Sequence, residues 1–167
     1  DLGLSGKELP DQLDTDKAVL ERLQAVRRAA SLAMGIAASD AEARTINAVP
    51  IVGFVAPPMD APTLSGDALR ADQVDLTVRF ISNGQPHRAL PLTASLCTAV
   101  AARIAGTVVH QALGREAGQT IRIGMPSGIL TVDADVATDA AGAWVAHSGA
   151  FYRTARRLFD GRVYVPR

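Results

Sequence analysis

The sequence predicts a mixed α/β (α+β) fold in which a curled sheet wraps around one central buried helix. The segment 94–105 is apolar around almost the whole helical wheel, and a helix without a polar face is a buried helix. Its polar exceptions are Ser95, Thr98 and Arg103. Runs rich in β-branched residues and bounded by turn residues lie on both sides of this helix. A sheet that curls can cover one helix on several sides, so these observations fit a single core.

An amphipathic helix is predicted before the first strand, from Asp14 to Gly35. Asp14 or Thr15 is the expected N-cap, and Gly35 is the expected end. The stripe expected to face the core contains Val19, Leu20, Leu23, Val26, Ala30 and Ala33. The charged residues expected on the solvent side are Lys17, Glu21, Arg22, Arg27 and Arg28.

Strands are predicted within 48–58 and 75–85, the second ending at the turn-forming pair Asn83-Gly84. Two further strands should flank the tight turn 125–128. The segment 107–113 fits either a short strand or a continuation of the buried helix. A later strand begins near Ala143, followed by a short helical turn over Thr154 to Leu158 and a last strand after Asp160-Gly161.

The composition fits one domain with one core. The chain has 167 residues, and its 17 Lys and Arg balance its 17 Asp and Glu. No overall charge therefore favours nucleic acid or an acidic membrane surface. The single Cys97 excludes an internal disulfide framework, and His87, His110 and His147 lack the spacing of metal ligands. We therefore expect no metal site.

The segment at the start of the chain has no signal-peptide pattern, and no apolar run approaches the ~20 residues of a membrane span. The sequence is therefore expected to be soluble and cytoplasmic. It starts on Asp1 rather than Met. We expect either processing or a piece of a longer chain.

The start of the buried helix, "LPLTAS", is the strongest candidate site. A helix N-terminus carries unsatisfied N–H groups and about half a positive charge. Thr93 and Ser95 add small hydroxyl groups, and Pro91 keeps the entry extended. Such an end can receive a carboxylate or a phosphate. The alternative is that Thr93 is simply an N-cap, which contributes about 1 kcal/mol of stability.

Other candidate groups are weaker. His87 and Arg88 could add positive charge near that helix, or they could lie on the solvent side of a strand. Ser127, between Pro126 and Gly128, fits a turn better than a site, and Cys97 fits packing better than chemistry. The basic run from Arg153 to Arg157 could clamp an acid or remain solvated. No nucleophile elbow, phosphate loop or close pair of carboxylates is present, so the sequence predicts no self-contained catalysis.

Several segments resemble the C-terminal half of the PrpF family. The most specific is the closing motif, in which "RTARRL" is followed by "GRVYVP". The matching segments are 1–10, 25–36, 92–110, 121–136 and 152–166. The likeness thus covers nearly the whole chain. It implies that residues 1–167 are a single domain, the C-terminal half of a two-domain protein whose N-terminal half is absent from this sequence. It also implies a diaminopimelate-epimerase-like fold made of two pseudo-symmetric halves.

The resemblance implies a cofactor-free isomerase or tautomerase that shifts a proton and a double bond in an unsaturated di- or tricarboxylate, of the methylaconitate or oxalomesaconate type. The substrate would lie between the halves and meet Thr93, Ala94 and Ser95, with His87 and Ser127 nearby. The family pattern has Gly where this chain has Ala94. The main acid and base, a Lys and a Cys, would lie in the N-terminal half. The partners implied are the polycarboxylate, that half and further copies of the chain, with no nucleic acid and no membrane.

A second hypothesis belongs to a different class. The chain could be a non-catalytic binding or assembly module that pairs with itself or with another chain. The absence of any paired acid and base in the sequence suits this alternative as well as it suits one half of an enzyme. The solution oligomeric state and the presence of a preceding half would separate the two hypotheses.

Overall fold

The structure is a computed structural model that describes residues 2–114 and 116–165. Its longer strands form one mixed sheet. The helices are α1 (Pro10–Thr15), α2 (Lys17–Ala33), α3 (Asp40–Thr45), α4 (Leu92–Ala101) and α5 (Val108–Leu113). The strands are β1 (Val52–Ala56), β2 (Ala61–Pro62), β3 (Ala68–Leu69), β4 (Leu76–Ser82), β5 (Gln85–Pro86), β6 (Ile121–Met125), β7 (Gly128–Thr138) and β8 (Trp144–Tyr152).

The main sheet has the order β1-β4-β6-β7-β8, and β5 pairs with β4. The pair β4 and β6 is parallel, whereas the other pairs are antiparallel. The sheet is therefore mixed, as predicted. Short strands β2 and β3 form a separate hairpin. A bulge between Asp135 and Val136 bends the long β7–β8 pair, and we call the curled main sheet the half-barrel.

Helix α4 lies on the concave side of the half-barrel, as the sequence predicted. The core between them includes Ala99 and Ala102 from the helical segment and Leu76, Ile123 and Val132 from the strands. The burial is incomplete along one strip, because Leu92 and Cys97 remain exposed. The half-barrel thus leaves one side of α4 open.

A second core covers the opposite face of the sheet. Leu13, Leu20 and Leu23 from α1 and α2 pack with Phe54 of β1 and Ile81 of β4. Alternate residues of a strand point to opposite faces, so β4 contributes to both cores. The sheet is consequently buried on two sides at this end.

The predicted long helix is interrupted, and its expected cap was wrong. The chain leaves helical geometry at Asp16, whose side chain accepts a hydrogen bond from the Val19 N–H at 3.0 Å. Asp16 therefore ends α1 and caps α2, in place of Asp14 or Thr15. Separate capping allows α1 to turn away from α2 while each keeps its own apolar side on the sheet.

The predicted faces of α2 also need correction. Val26 is 52% exposed, whereas Arg27, expected in solvent, is only 2% exposed. The buried positions after Leu23 are Arg27 and Ser31, and each follows the previous one by about one helical turn. Arg27 is buried because carbonyl groups of the segment after α2 surround its guanidinium, as described below.

Two further predictions are decided by the structure. Residues 107–113 form the separate helix α5, in which the Thr107 hydroxyl accepts from the His110 N–H at 3.1 Å. The predicted helical turn over Thr154 to Leu158 and the last strand are both wrong, because residues 153–165 form no regular element and are all exposed. A strand needs a neighbour for its backbone groups, and this segment has none in the described part of the chain.

Among the described helices, none combines the length and the apolar character needed to cross a bilayer.

Candidate functional site

The N-terminus of α4 carries no side-chain cap. Pro91 occupies the capping position with φ −60° and ψ 140°, and it has no polar side-chain group. The Ser95 N–H donates to the Pro91 carbonyl at 2.9 Å and is the first helical donor. The N–H groups of Leu92, Thr93 and Ala94 precede it and cannot find a carbonyl four residues earlier within the helix. Thr93 is inside the helix, so the interpretation of Thr93 as the N-cap was wrong.

The three residues predicted at this end differ in exposure. Thr93 is exposed, Ala94 is buried and Ser95 is fully buried. The Ser95 hydroxyl donates to the Pro91 carbonyl at 2.8 Å, and the Thr98 hydroxyl donates to the Ala94 carbonyl at the same distance. Thr93 is therefore the residue whose side chain is open at this end, whereas Ser95 holds the first turn together.

A groove of about 610 Å³ runs along the open side of α4 and reaches this N-terminus. We call it the α4 groove. One wall is the segment 49–55, which includes β1, and the other is the exposed side of α4. Val108 and Val109 of α5 and Met34 after α2 also line it. The α4 residues that line it are Thr93, Ala94, Cys97, Thr98 and Ala101.

Most of the α4 groove is apolar, and its one cation is already occupied. The Arg27 guanidinium donates to the carbonyls of Ala43, at 2.8 Å, and of Ile46. Its Nε donates to Gln24 Oε1 at 2.7 Å. Arg27 thus ties α2 to the segment after α3. A small polyanion has its best partners at the Thr93 end of the groove rather than along its length.

His87 and Arg88 do not form a cationic pair beside α4. His87 is half-buried, its N–H donates to the Phe80 carbonyl at 2.8 Å, and burial lowers the pKa of its imidazole. Arg88 is exposed and pairs with Asp11 at 3.0 Å. The lowered pKa favours the uncharged imidazole, which can serve as a hydrogen-bonding group rather than as a cation.

Ser127 lies in the turn between β6 and β7 and is exposed. Gly128 beside it has a φ of 123°, a conformation that suits glycine. The neighbouring Pro126 carbonyl accepts from the Leu64 N–H at 2.8 Å. The structure therefore packs this turn against the segment around Leu64 and gives Ser127 the turn position that the sequence favoured.

Sequence reasoning missed two buried arginines. Besides Arg27, Arg79 on β4 is 2% exposed, and its Nε donates to the Glu8 carbonyl at 2.7 Å. Burial lowers the pKa of Arg79 to about 10, which leaves it charged at neutral pH. An arginine within an otherwise apolar strand run was the available signal, because such a residue needs backbone partners inside the protein.

Comparison with solved structures identifies the fold. The crystal structure of methylitaconate-delta-isomerase matches with a TM-score of 0.78 and 30% identity, over 91% of this chain and 42% of that chain. The half-barrel around α4 thus has the diaminopimelate-epimerase-like fold that the resemblance implied.

Sequence comparisons identify the family. The chain belongs to the PrpF family, whose model, described as PrpF protein, matches residues 1–166. It is 38% identical to 2-methyl-aconitate isomerase from Shewanella oneidensis, over 100% of this chain and 42% of the relative. It is 36% identical to 3-methylitaconate isomerase from Eubacterium barkeri, over 99% of this chain and 43% of the relative. The chain therefore spans less than half the length of these relatives.

Proposed function

We propose that this chain is the C-terminal half of a cofactor-independent isomerase that shifts a proton and a double bond in an unsaturated di- or tricarboxylate. The observation that carries the proposal is the uncapped N-terminus of α4, with Thr93 exposed beside it. The whole-chain similarity to two isomerases named for methylaconitate and methylitaconate supports the choice of substrate class.

The chemistry follows from what a helix N-terminus does to charge. A carboxylate of the substrate accepts hydrogen bonds from the N–H groups of Leu92, Thr93 and Ala94, and the helix dipole attracts its negative charge. A base removes a proton from the carbon next to the double bond, and the electron pair of that C–H bond spreads towards the carboxylate. An acid then returns a proton at the far end of the allylic system, and the double bond has moved.

The bound carboxylate gains negative charge in this intermediate, so interactions with it strengthen during the reaction. Fixed N–H donors then lower the barrier, because they need no reorganisation. The α4 N-terminus thus supplies charge stabilisation in this proposal. The proton-transferring Lys and Cys belong to the N-terminal half that we propose precedes this chain.

The candidate residues take different roles in this proposal. The Thr93 hydroxyl and the Ala94 N–H contact the carboxylate directly, and the Ala94 methyl group narrows the pocket relative to glycine. Ser95 positions the first turn of α4 through its bond to the Pro91 carbonyl. His87, uncharged, and Ser127 are proposed to contact more distant parts of the substrate.

The test compares the isolated 167-residue chain with the longer protein that contains the preceding half. Both are incubated with methylaconitate and methylitaconate in D₂O, and proton NMR follows isomerisation and deuterium uptake. We expect turnover by the longer protein and none by the isolated chain, because the proton-transferring groups are absent from it. Turnover by the isolated chain would contradict the proposal. So would a longer protein that isomerises neither methylaconitate nor methylitaconate.

A binding or assembly module is the second candidate function. The observation that favours it is the exposure of the large apolar residues in 153–165. A module of this kind would form complexes without catalysing isomerisation in any assembly, so the same NMR assay on the longer protein discriminates between the candidates.

A further inference from the structure

Arg103 joins the end of α4 to two other parts of the half-barrel. It lies just after the helix, and its side chain is 13% exposed. Its Nη1 donates to the Ala99 carbonyl in the last turn of α4 at 3.1 Å. Its Nη2 donates to Asp133 Oδ1 of β7 at 2.6 Å and to the Gln119 carbonyl before β6 at 2.8 Å. One guanidinium therefore connects the helix with β7 and with the segment before β6.

The Asp133 carboxylate that receives this guanidinium is itself held by the backbone. Its Oδ1 also accepts from the Ala134 N–H at 2.7 Å. The backbone of Asp133 is paired with Ala150 of β8 in the sheet register. Charge-assisted hydrogen bonds between an arginine and a carboxylate are short and directional. The link to Asp133 thus gives the end of α4 a defined place relative to the sheet.

The packing of α4 against the sheet gives less directional support. Small side chains form a shallow surface with few ridges that could interlock with a neighbour. Leu90, which is in the core just before the helix, holds the start of α4. Arg103 supplies the directional contact at the far end, so the two residues together define the direction of the helix axis. The buried residues of the helical segment all have small side chains, and they are Ala94, Ser95, Thr98, Ala99 and Ala102.

We propose that Arg103, held by Asp133, is a positioning residue of the isomerase: it sets where the N–H groups at the opposite end of α4 stand. This inference rests on the proposed function. Arg103 is ten residues from Thr93, which corresponds to about 15 Å along a helix. A short helix moves as one body, so a shift at one end reaches the other. A misplacement of about 1 Å caused by a remote mutation can cost about 100-fold in rate.

The kinetic signature of this role is a fall in kcat that is larger than the rise in KM. The substrate carboxylate gains negative charge in the proposed intermediate, so misplaced N–H donors cost more there than in the bound substrate. In the longer protein, Arg103→Ala should lower kcat by about 10–100-fold and should raise KM less. Arg103→Lys keeps the charge but lacks the planar fork of donors. Its kcat should lie between those of Arg103→Ala and the unmodified protein.

The experiment measures kcat and KM of the longer protein and its variants at a temperature where circular dichroism shows each of them folded. Asp133→Ala and the double variant with Arg103→Ala complete a cycle. Because the two side chains act as a unit, the double variant should lose no more kcat than Arg103→Ala alone.

The matched control is Arg122→Ala on β6. The Arg122 guanidinium also bonds a carboxylate and a carbonyl, those of Asp75 at 2.9 Å and Asp72 at 3.2 Å. Neither partner is on α4, so this variant should keep the kcat of the unmodified protein even where its melting temperature falls. If Arg103→Ala does not fold, Arg103→Lys and Asp133→Asn replace it in the same comparison.

Unchanged kcat in the Arg103 variants, an equal loss of kcat in Arg122→Ala, or losses that multiply in the double variant would each overturn this inference alone. Absence of turnover from the unmodified longer protein would contradict the proposed function, and the positioning role of Arg103 would fall with it.

Discussion

Arg103 donates through Nη2 to Asp133 Oδ1 at 2.6 Å, which ties the end of α4 to β7. The same guanidinium donates to the carbonyls of Ala99, at 3.1 Å, and Gln119, at 2.8 Å. A positive charge near a helix C-terminus is also favoured by the helix dipole. One side chain therefore fixes the position of α4 in the half-barrel, and with it the position of the helix N-terminus.

Asp133→Asn should destabilise the fold because it removes the anionic partner of a mostly buried guanidinium. We expect a loss of about 1–3 kcal/mol in the free energy of unfolding, measured by urea denaturation. The control is Arg88→Ala, since Arg88 and Asp11 form an exposed ion pair and such pairs contribute about 0–1 kcal/mol. Equal effects of the two variants would show that the Arg103–Asp133 pair has no special role.

Arg27→Leu should be more damaging than any change at an exposed arginine of α2. Replacement leaves the Ala43 and Ile46 carbonyls without their donor in a buried location, at a cost of about 2–4 kcal/mol. Arg22→Leu, on the same helix but exposed, should change stability by about 0.5 kcal/mol or less. Thermal and urea denaturation of the two variants measures this difference in stability. Equal losses in the two variants would show that Arg27 is solvated rather than buried.

Thr93→Ala and Ser95→Ala should separate binding from stability. In the proposed longer protein, Thr93→Ala should weaken polycarboxylate affinity by about 10–100-fold, as expected for one charge-assisted hydrogen bond. Its melting temperature should stay nearly constant because Thr93 caps nothing. Ser95→Ala should instead lower stability by about 1 kcal/mol, since it removes a buried hydrogen bond.

Calorimetry with the polycarboxylate and thermal melting measure both quantities for these variants. Cys97→Ala, one turn further into α4, is the control and should change affinity little. Unchanged affinity in Thr93→Ala would remove this side chain from the proposed site.

Glu8 should make folding stability depend on pH. Burial alone would raise the pKa of its carboxyl, but hydrogen bonds from Ser5 and Gly6 outweigh it and hold the pKa below the usual 4.5. The Ser5 N–H and hydroxyl donate at 2.6 and 2.8 Å. A depressed folded-state pKa gives stability that is present above the unfolded-state pKa and is lost as pH falls through the folded-state value.

Urea denaturation of wild type and Glu8→Gln tests this dependence. The measurements should run from about pH 2.5 to about pH 7, which spans the titration of a carboxyl group. The variant should be less stable at pH 7, and the difference between the two proteins should shrink below about pH 4. A difference that stays constant with pH would mean that the carboxylate charge at Glu8 contributes nothing.

The mixed sheet and its central helix could be predicted because their signals are local. The apolar wheel of 94–105, the alternation at Leu76, Val78 and Phe80, and the turn Asn83-Gly84 each require only near neighbours in sequence. The start of α4 near Pro91 was also predictable, since proline keeps the chain extended before a helix.

Other features depended on contacts between distant segments, which the local pattern does not contain. Arg27 is buried because carbonyls 16 and 19 residues away surround it, and the Ser95 hydroxyl turns inward because the half-barrel covers that side of α4. The segment after Asp160-Gly161 was predicted to be a strand, but a strand forms only where a neighbour supplies hydrogen bonds. Sequence alone therefore determined which segments prefer helix or strand and which helix is central. Tertiary structure decided which polar groups are buried, which side of α4 stays open and which predicted strand does not form. Burial and strand pairing depend on what lies opposite in space.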